Sequence, residues 1–253
     1  MMGSDMISSD DFKGYYKFKD NILIKDQSLL KKKIIRYTKL LNLLYCLSEF
    51  KFYVSGRNKF SDLREMGSYS DKKSMFRFQR TDGDDNEYWR GMDSKIKCSR
   101  SLYTSCWSFT DQENPLLWRV FHSEVAILST VRGFLCSYSE LDKYNTVANA
   151  VQYECEHPFY SVEEAMFEKY LSYKDENEFR FYFIEKNAVE CKCNYNLQNY
   201  TFLQMVDCDF IDGIIISPFI DEPFKTMVKG LIIKYIPDMN FIQSSILEKK
   251  NLI

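Results

Sequence analysis

Histidine is nearly absent: His122 and His157 are the only two in 253 residues. A metal site would therefore depend on cysteine, and the eight cysteines are scattered. Their closest pair, Cys191 and Cys193, has one intervening residue where a zinc knuckle needs two. No metal centre is expected, and a Cys/His nucleophilic pair has few partners to draw on. Glycine is also sparse, and the chain has no dinucleotide fingerprint, no phosphate loop ending in Gly-Lys-Ser/Thr and no Gly-x-Ser-x-Gly elbow. No stretch approaches the roughly 20 apolar residues that span a bilayer. The amino-terminal residues lack a basic start followed by an apolar run, so the expectation is a cytoplasmic protein with reduced thiols and no membrane contact. Net charge is scarce too. With 34 basic against 36 acidic residues there is no broad electrostatic reason to bind nucleic acid.

Aromatics are plentiful, with 20 Phe and 18 Tyr, enough for a sizeable core in which some tyrosines sit half-exposed. Residues 1–27 lack a period and read as a loose start. From Ser28 to about Leu47, the residues Leu30, Ile34, Tyr37, Leu41, Leu44 and Tyr45 recur at helical spacing between lysines, predicting one amphipathic helix with a solvated basic face. Residues 50–55 and 101–109 read as strands, with a long polar loop, 68–97, before the second. Asn114 and Pro115 open a helix whose apolar side is Leu116, Leu117, Val120 and Phe121. Strands are expected at 124–131 and 150–155, and a capping box, Ser161 to Glu164, starts a helix to about Leu171. A hairpin over 188–206, a central strand over 211–217, a helix opened by Asp221 and Pro223, and a closing strand over 241–247 complete the pattern. Strand runs broken by unevenly spaced helices predict a single α+β domain over 28–253, with a split mixed or antiparallel sheet and flanking helices.

One stretch has the look of chemistry. In residues 173–183, YKDENEFRFYF, two carboxylates, Glu176 and Glu178, stand where a charged turn becomes an aromatic strand. Alternation places Phe179, Phe181 and Phe183 on one face and Glu178, Arg180 and Tyr182 on the other. The plain alternative is that Glu176 belongs to a solvated turn and Glu178 pairs with a cross-strand Lys or Arg. Trp107 and Trp118 read as core. Asp82, Asp84 and Asp85, the best cluster for a metal-dependent nuclease, sit in the polar loop and read as solvated.

The segments FYVSGRNKFSDLRE (52–65), CWSFTDQENPLLWRVF (106–121), VQY (151–153), DENEFRFYF (175–183) and GIIISPF (213–219) resemble, in order, the blocks of a large bacterial family of unknown function. That family has a strand ending in Phe-Ser, a Trp-bearing helix and a Glu-x-Glu-x-Arg strand. The sequence departs from it at Leu63, where the family tends to proline, and at Val120 and Phe121, where it tends to tyrosine. More distantly, the order of features is similar to ADP-ribosyltransferases: an Arg on an early strand, a Ser/Thr-rich strand, then Glu-x-Glu. This resemblance implies that Arg57 pairs with the phosphates of NAD, and that Tyr103, Ser105 and Ser108 line the cofactor site, with Ser105 supporting Glu178 or the ribose. It further implies that Glu178 stabilises an oxocarbenium-like charge while Glu176 activates the acceptor. The implied activity is cleavage of the nicotinamide–ribose bond and modification of a protein or nucleic-acid acceptor, in a toxin or phage-defence setting. A non-catalytic module that binds a nucleotide or a protein segment is the competing expectation.

Overall fold

A computed structural model describes residues 12–56, 102–110, 112–140, 143–154, 162–186 and 200–246. In chain order the elements are β1 (Tyr16–Lys19), β2 (Ile22–Ile24), a 3₁₀ turn (Gln27–Lys31), β3 (Lys33–Thr38), α1 (Leu40–Glu49), β4 (Lys51–Gly56), β5 (Leu102–Ser108), α2 (Pro115–Val120), β6 (Val125–Thr130) and α3 (Val131–Ser137). They continue with β7 (Tyr144–Ala150), β8 (Gln152–Glu154), α4 (Val162–Phe167), β9 (Glu168–Tyr170), a second 3₁₀ turn (Leu171–Glu176), β10 (Glu178–Glu185), β11 (Tyr200–Gln204), β12 (Gly213–Ile216), α5 (Glu222–Ile233) and β13 (Phe241–Ile242).

The chain is a single α+β domain built on one large mixed sheet with few helices. Nine strands run in the order β1-β2-β7-β10-β5-β3-β6-β12-β13. The pairs β2–β7 and β12–β13 are parallel, and the other neighbours on this path are antiparallel. The sheet forks at β5. Its Ser108 end meets β3 at Ile35, whereas its Tyr103 end meets β4, which in turn carries β11. The parallel pair β8 and β9 forms a separate ladder.

Three apolar clusters hold the layers. On one face, α1, α3 and α5 cover the aromatic row of β10, with Leu43, Cys46, Phe134, Val228 and Ile232 among the buried residues. Phe134 is the hub, with its ring 4.7 Å from Phe181, 4.9 Å from Phe52 and 5.2 Å from Trp107. On the other face, Met166 and Phe167 of α4 pack on Val147, Tyr182 and Ile184. Further along that face, Leu117 and Trp118 of α2 cover Ile35, Tyr37, Ala126 and Ile215.

The structure corrects several expectations. Residues 16–24 are two strands rather than a loose start, and β2 continues the main sheet beside β7. The helix expected over 28–47 is a 3₁₀ turn, a strand and a shorter helix. Ile34 and Ile35 are both buried, on opposite faces of β3, and a strand buried on both faces shows no period of two. On α2 only Leu117 and Trp118 are buried, while Leu116, Val120 and Phe121 are exposed, because six residues give too narrow a contact face. The strand expected over 150–155 forms as β8 over Gln152–Glu154, with Ala150 closing β7 and Cys155 outside the described residues, and the helix expected to Leu171 stops at Phe167. The closing strand is two residues long, and β12, fully buried, lies next to last rather than central. The loop 68–97, Ser161 of the capping box, and residues 188–199 of the expected hairpin lie outside the described residues. The part that is described, β11, pairs with β4.

The two expected caps that fall on described residues, Asn114 and Asp221, form. Asn114 accepts a hydrogen bond from the Leu116 amide at 2.9 Å, and its Nδ2 donates to the Asp175 carbonyl at 2.7 Å. Asn114→Ala is expected to destabilise the domain by about 1 kcal/mol, read as a lower urea midpoint with unchanged slope.

Candidate active site

Asn177 is the pivot of the Glu-x-Glu segment. It sits at φ 41°, a left-handed conformation that asparagine tolerates, and it turns the chain from the second 3₁₀ turn into β10. Its side chain donates to the Phe109 carbonyl at 2.7 Å, which ties the turn to the end of β5. The Glu178 amide donates to the Tyr153 hydroxyl at 2.8 Å, and the Val151 amide donates to the Glu178 carbonyl at 2.8 Å. Glu178 therefore enters the sheet with its backbone fixed from both sides.

The alternation expected for β10 holds. Phe179, Phe181 and Phe183 lie in the aromatic core, and Glu178, Arg180 and Tyr182 lie on the face under α4. There Arg180, fully buried, grips the carboxylate with two bonds of 2.8 Å, Nε to Oε1 and Nη2 to Oε2. Its Nη1 donates to the Met166 carbonyl at 3.0 Å and to the Tyr182 hydroxyl at 3.3 Å, and Tyr182 itself donates to the same carbonyl at 2.8 Å. Lys169, from β9, reaches Glu178 Oε2 at 3.2 Å and Glu176 Oε2 at 2.7 Å, and lies 4.9 Å from the centre of the Tyr173 ring. One ammonium thus bridges the two carboxylates. The Glu178 side chain is 6% exposed and that of Glu176 is 22% exposed.

Burial by itself would raise the Glu178 carboxyl, but the charge and hydrogen bonds of Arg180, with Lys169 behind them, outweigh it and hold the group down at about 2. Glu178 is therefore a permanent anion at neutral pH and a poor base. Burial raises the Tyr153 phenol well above its ordinary range, and the Glu178 charge adds to this. A second polar group flanks the first: Glu163 accepts from Lys25 at 2.6 Å and from Tyr15 at 3.0 Å, and Asn149 donates to Tyr15 at 3.3 Å.

Of the residues proposed from sequence, Glu176, Glu178 and Ser108 come together. Ser108 stands directly opposite Glu178 across the ladder, and its hydroxyl donates to the Glu176 carbonyl at 3.3 Å. Ser105 and Tyr103 do not join them. They pair with Phe181 and Phe183 and point to the aromatic face, so Ser105 cannot support Glu178. Ser105 instead accepts hydrogen bonds from Arg36 Nη1 and from Trp107 Nε1. Tyr103 sets its ring edge-on to Tyr144. The period of two by itself puts Ser105 and Ser108 on opposite faces of β5, and the register with β10 decides that Ser108 is the one beside Glu178. Arg57 and the Asp82, Asp84 and Asp85 group lie outside the described residues. Among the described residues, no three His, Cys, Asp or Glu side chains group as metal ligands, and no helix is long and apolar enough to cross a membrane.

No known family, curated protein or solved structure matches this chain. What it does must be argued from its own residues. Sequence reasoning overlooked two of them. Lys169 was absorbed into an expected helix, and only its adjacency to Glu168 and Tyr170 in a short strand aims it at the carboxylates. Arg36 was absorbed into a basic helix face. It fills the fork between β3 and β4, with Nη2 donating to the Tyr53 carbonyl at 2.9 Å and the guanidinium stacked 4.6 Å from the Phe52 ring. Burial lowers its ionisation to about 10, and it remains a cation at neutral pH.

Proposed function

We propose that the Glu176–Glu178 face acts on NAD at its nicotinamide–ribose bond, passing the ADP-ribosyl group to water or to a macromolecular acceptor. The observation that carries this reading is the pair of carboxylates bridged by Lys169, one a buried permanent anion and the other half-buried and nearer solvent. Breaking an N-glycosidic bond builds positive charge on the ribose, and a fixed anion that need not take up a proton suits that charge. Glu178 has this role. Glu176, more open to solvent, orients and deprotonates the acceptor hydroxyl, and Lys169 remains on Glu176 when the substrate ribose takes its place at Glu178. Ser108 holds the carbonyl of Glu176 and so fixes the turn. In an ADP-ribosyltransferase-like arrangement, Tyr103 and Ser105 would not contact the reacting ribose, and Arg36 with Ser105 would only brace the fork behind it.

The test is release of free nicotinamide from NAD by the purified protein, with cell extract as acceptor, for wild type and Glu176→Gln side by side. The expected result is release by wild type and a loss of about 10²-fold or more in the variant. Equal rates would remove Glu176 from the chemistry, and no release from wild type would sink the reading. A second reading, a nucleotide- or protein-binding module without turnover, is favoured by one observation: Arg180 and Lys169 already occupy both oxygens of a carboxylate that is 6% exposed. Under it, NAD or a related nucleotide would raise the melting temperature with no nicotinamide released.

A further inference from the structure

Two cysteines far apart in the chain meet beside the fork. Cys46 lies on α1 with its side chain in the core, 1% exposed, and Cys208 lies half-buried in the turn between β11 and β12. The Cys208 thiol donates to the Cys46 carbonyl at 3.6 Å across 162 residues of sequence. The segment that carries Cys208 is pinned at both ends. Before it, the Met205 amide donates to the Phe50 carbonyl just after α1. Immediately before Cys208, Asp207 accepts from Ser137 Oγ at 2.7 Å and from the Asp209 amide at 3.0 Å, and after it Phe210 and Ile211 are buried. The Cys208 sulfur is therefore held against the Cys46 residue by the packing around it.

We propose that Cys46 and Cys208 form a reversible disulfide when the protein meets a peroxide, making a thiol modification site that joins α1 to the 205–211 segment. The half-buried Cys208 is the sulfur a peroxide reaches first. Its thiolate attacks the peroxide, the O–O bond breaks, and Cys208 becomes a sulfenic acid while one oxygen leaves as water or alcohol. The Cys46 sulfur then attacks the Cys208 sulfur and the S–O bond breaks. The sulfenic hydroxyl leaves as water with the proton that the Cys46 thiol gives up. In sum, two thiols lose two hydrogens and the peroxide is reduced by two electrons. The electrostatics favour this order, the neighbouring Cys46 thiol lowering Cys208 from its ordinary value while Cys208 and burial raise Cys46.

The experiment treats the full chain with hydrogen peroxide, alkylates the remaining thiols and maps peptides without reduction. The expected product is a linked pair containing Cys46 and Cys208 that dithiothreitol separates, with a thermal midpoint roughly 5–10 °C above that of the reduced protein. Cys208→Ser removes the link, and Cys46→Ser leaves a sulfenic acid at Cys208 that dimedone captures. If the buried Cys46→Ser variant does not fold, the wild-type map and Cys208→Ser decide the matter. Both thiols alkylated after peroxide, or links confined to other cysteines, would overturn the proposal.

Discussion

Arg180→Met is expected to destabilise the protein by about 3–5 kcal/mol, because it strands a buried carboxylate that the wild type holds with two charge-assisted bonds. A domain of this kind has a margin of roughly 5–15 kcal/mol, so the variant should unfold at a much lower denaturant concentration. The double variant Glu178→Gln/Arg180→Met removes the stranded charge along with its partner and should recover part of the loss. A single-variant cost below about 1 kcal/mol would mean that Lys169 alone neutralises Glu178. The pH dependence has a defined sign. The folded-state value of Glu178, about 2, lies below its unfolded value of 4.5, so its contribution is complete above pH 4.5 and is lost as pH falls toward 2. In Arg180→Met the depressing charge is gone and burial dominates, which raises the carboxyl above its unfolded value and reverses the sign: the cost is full at neutral pH and shrinks as acid protonates Glu178. Chemical denaturation of both proteins between pH 3 and 7 reads the difference.

Phe134→Ala should cost about 3–5 kcal/mol by a different route, the loss of a buried ring and the cavity left in its place. Phe134 is fully buried on α3, and its ring meets those of Phe52, Trp107, Phe181 and Phe210 from four separate strands and turns. None of these partners can fill the space without leaving its own strand. The melting temperature should fall by roughly 10 °C, and the hydrogen-exchange protection of β5 and β10 should fall with it. Near-wild-type stability would show that α3 is not the element that seals the aromatic face.

The two predictions probe opposite faces of one strand, and β10 shows how far local pattern reaches. Its alternation of Phe with Glu, Arg and Tyr was legible because a strand in this sheet must send successive side chains to opposite sides. The caps at Asn114 and Asp221 were legible for a similar reason, since each is satisfied by amides two or three residues ahead. β3 was not. Its Lys33–Thr38 segment lies between β5 and β6 with both faces covered, and nothing within the segment distinguishes that burial from the stripe of a helix.

The sequence by itself determined which side chains share a face of β10, where the two capped helices begin, and that Glu176 and Glu178 stand together at a turn. These are short-range consequences of backbone geometry. Only the tertiary structure decided which partners those side chains meet. Strand order places Ser108 rather than Ser105 beside Glu178, β9 delivers Lys169 to both carboxylates, and the fork at β5 buries Arg36. Contacts of this kind depend on strand pairing between distant segments. No local periodicity encodes that register, because each strand is stabilised by whichever neighbours the rest of the chain brings to it.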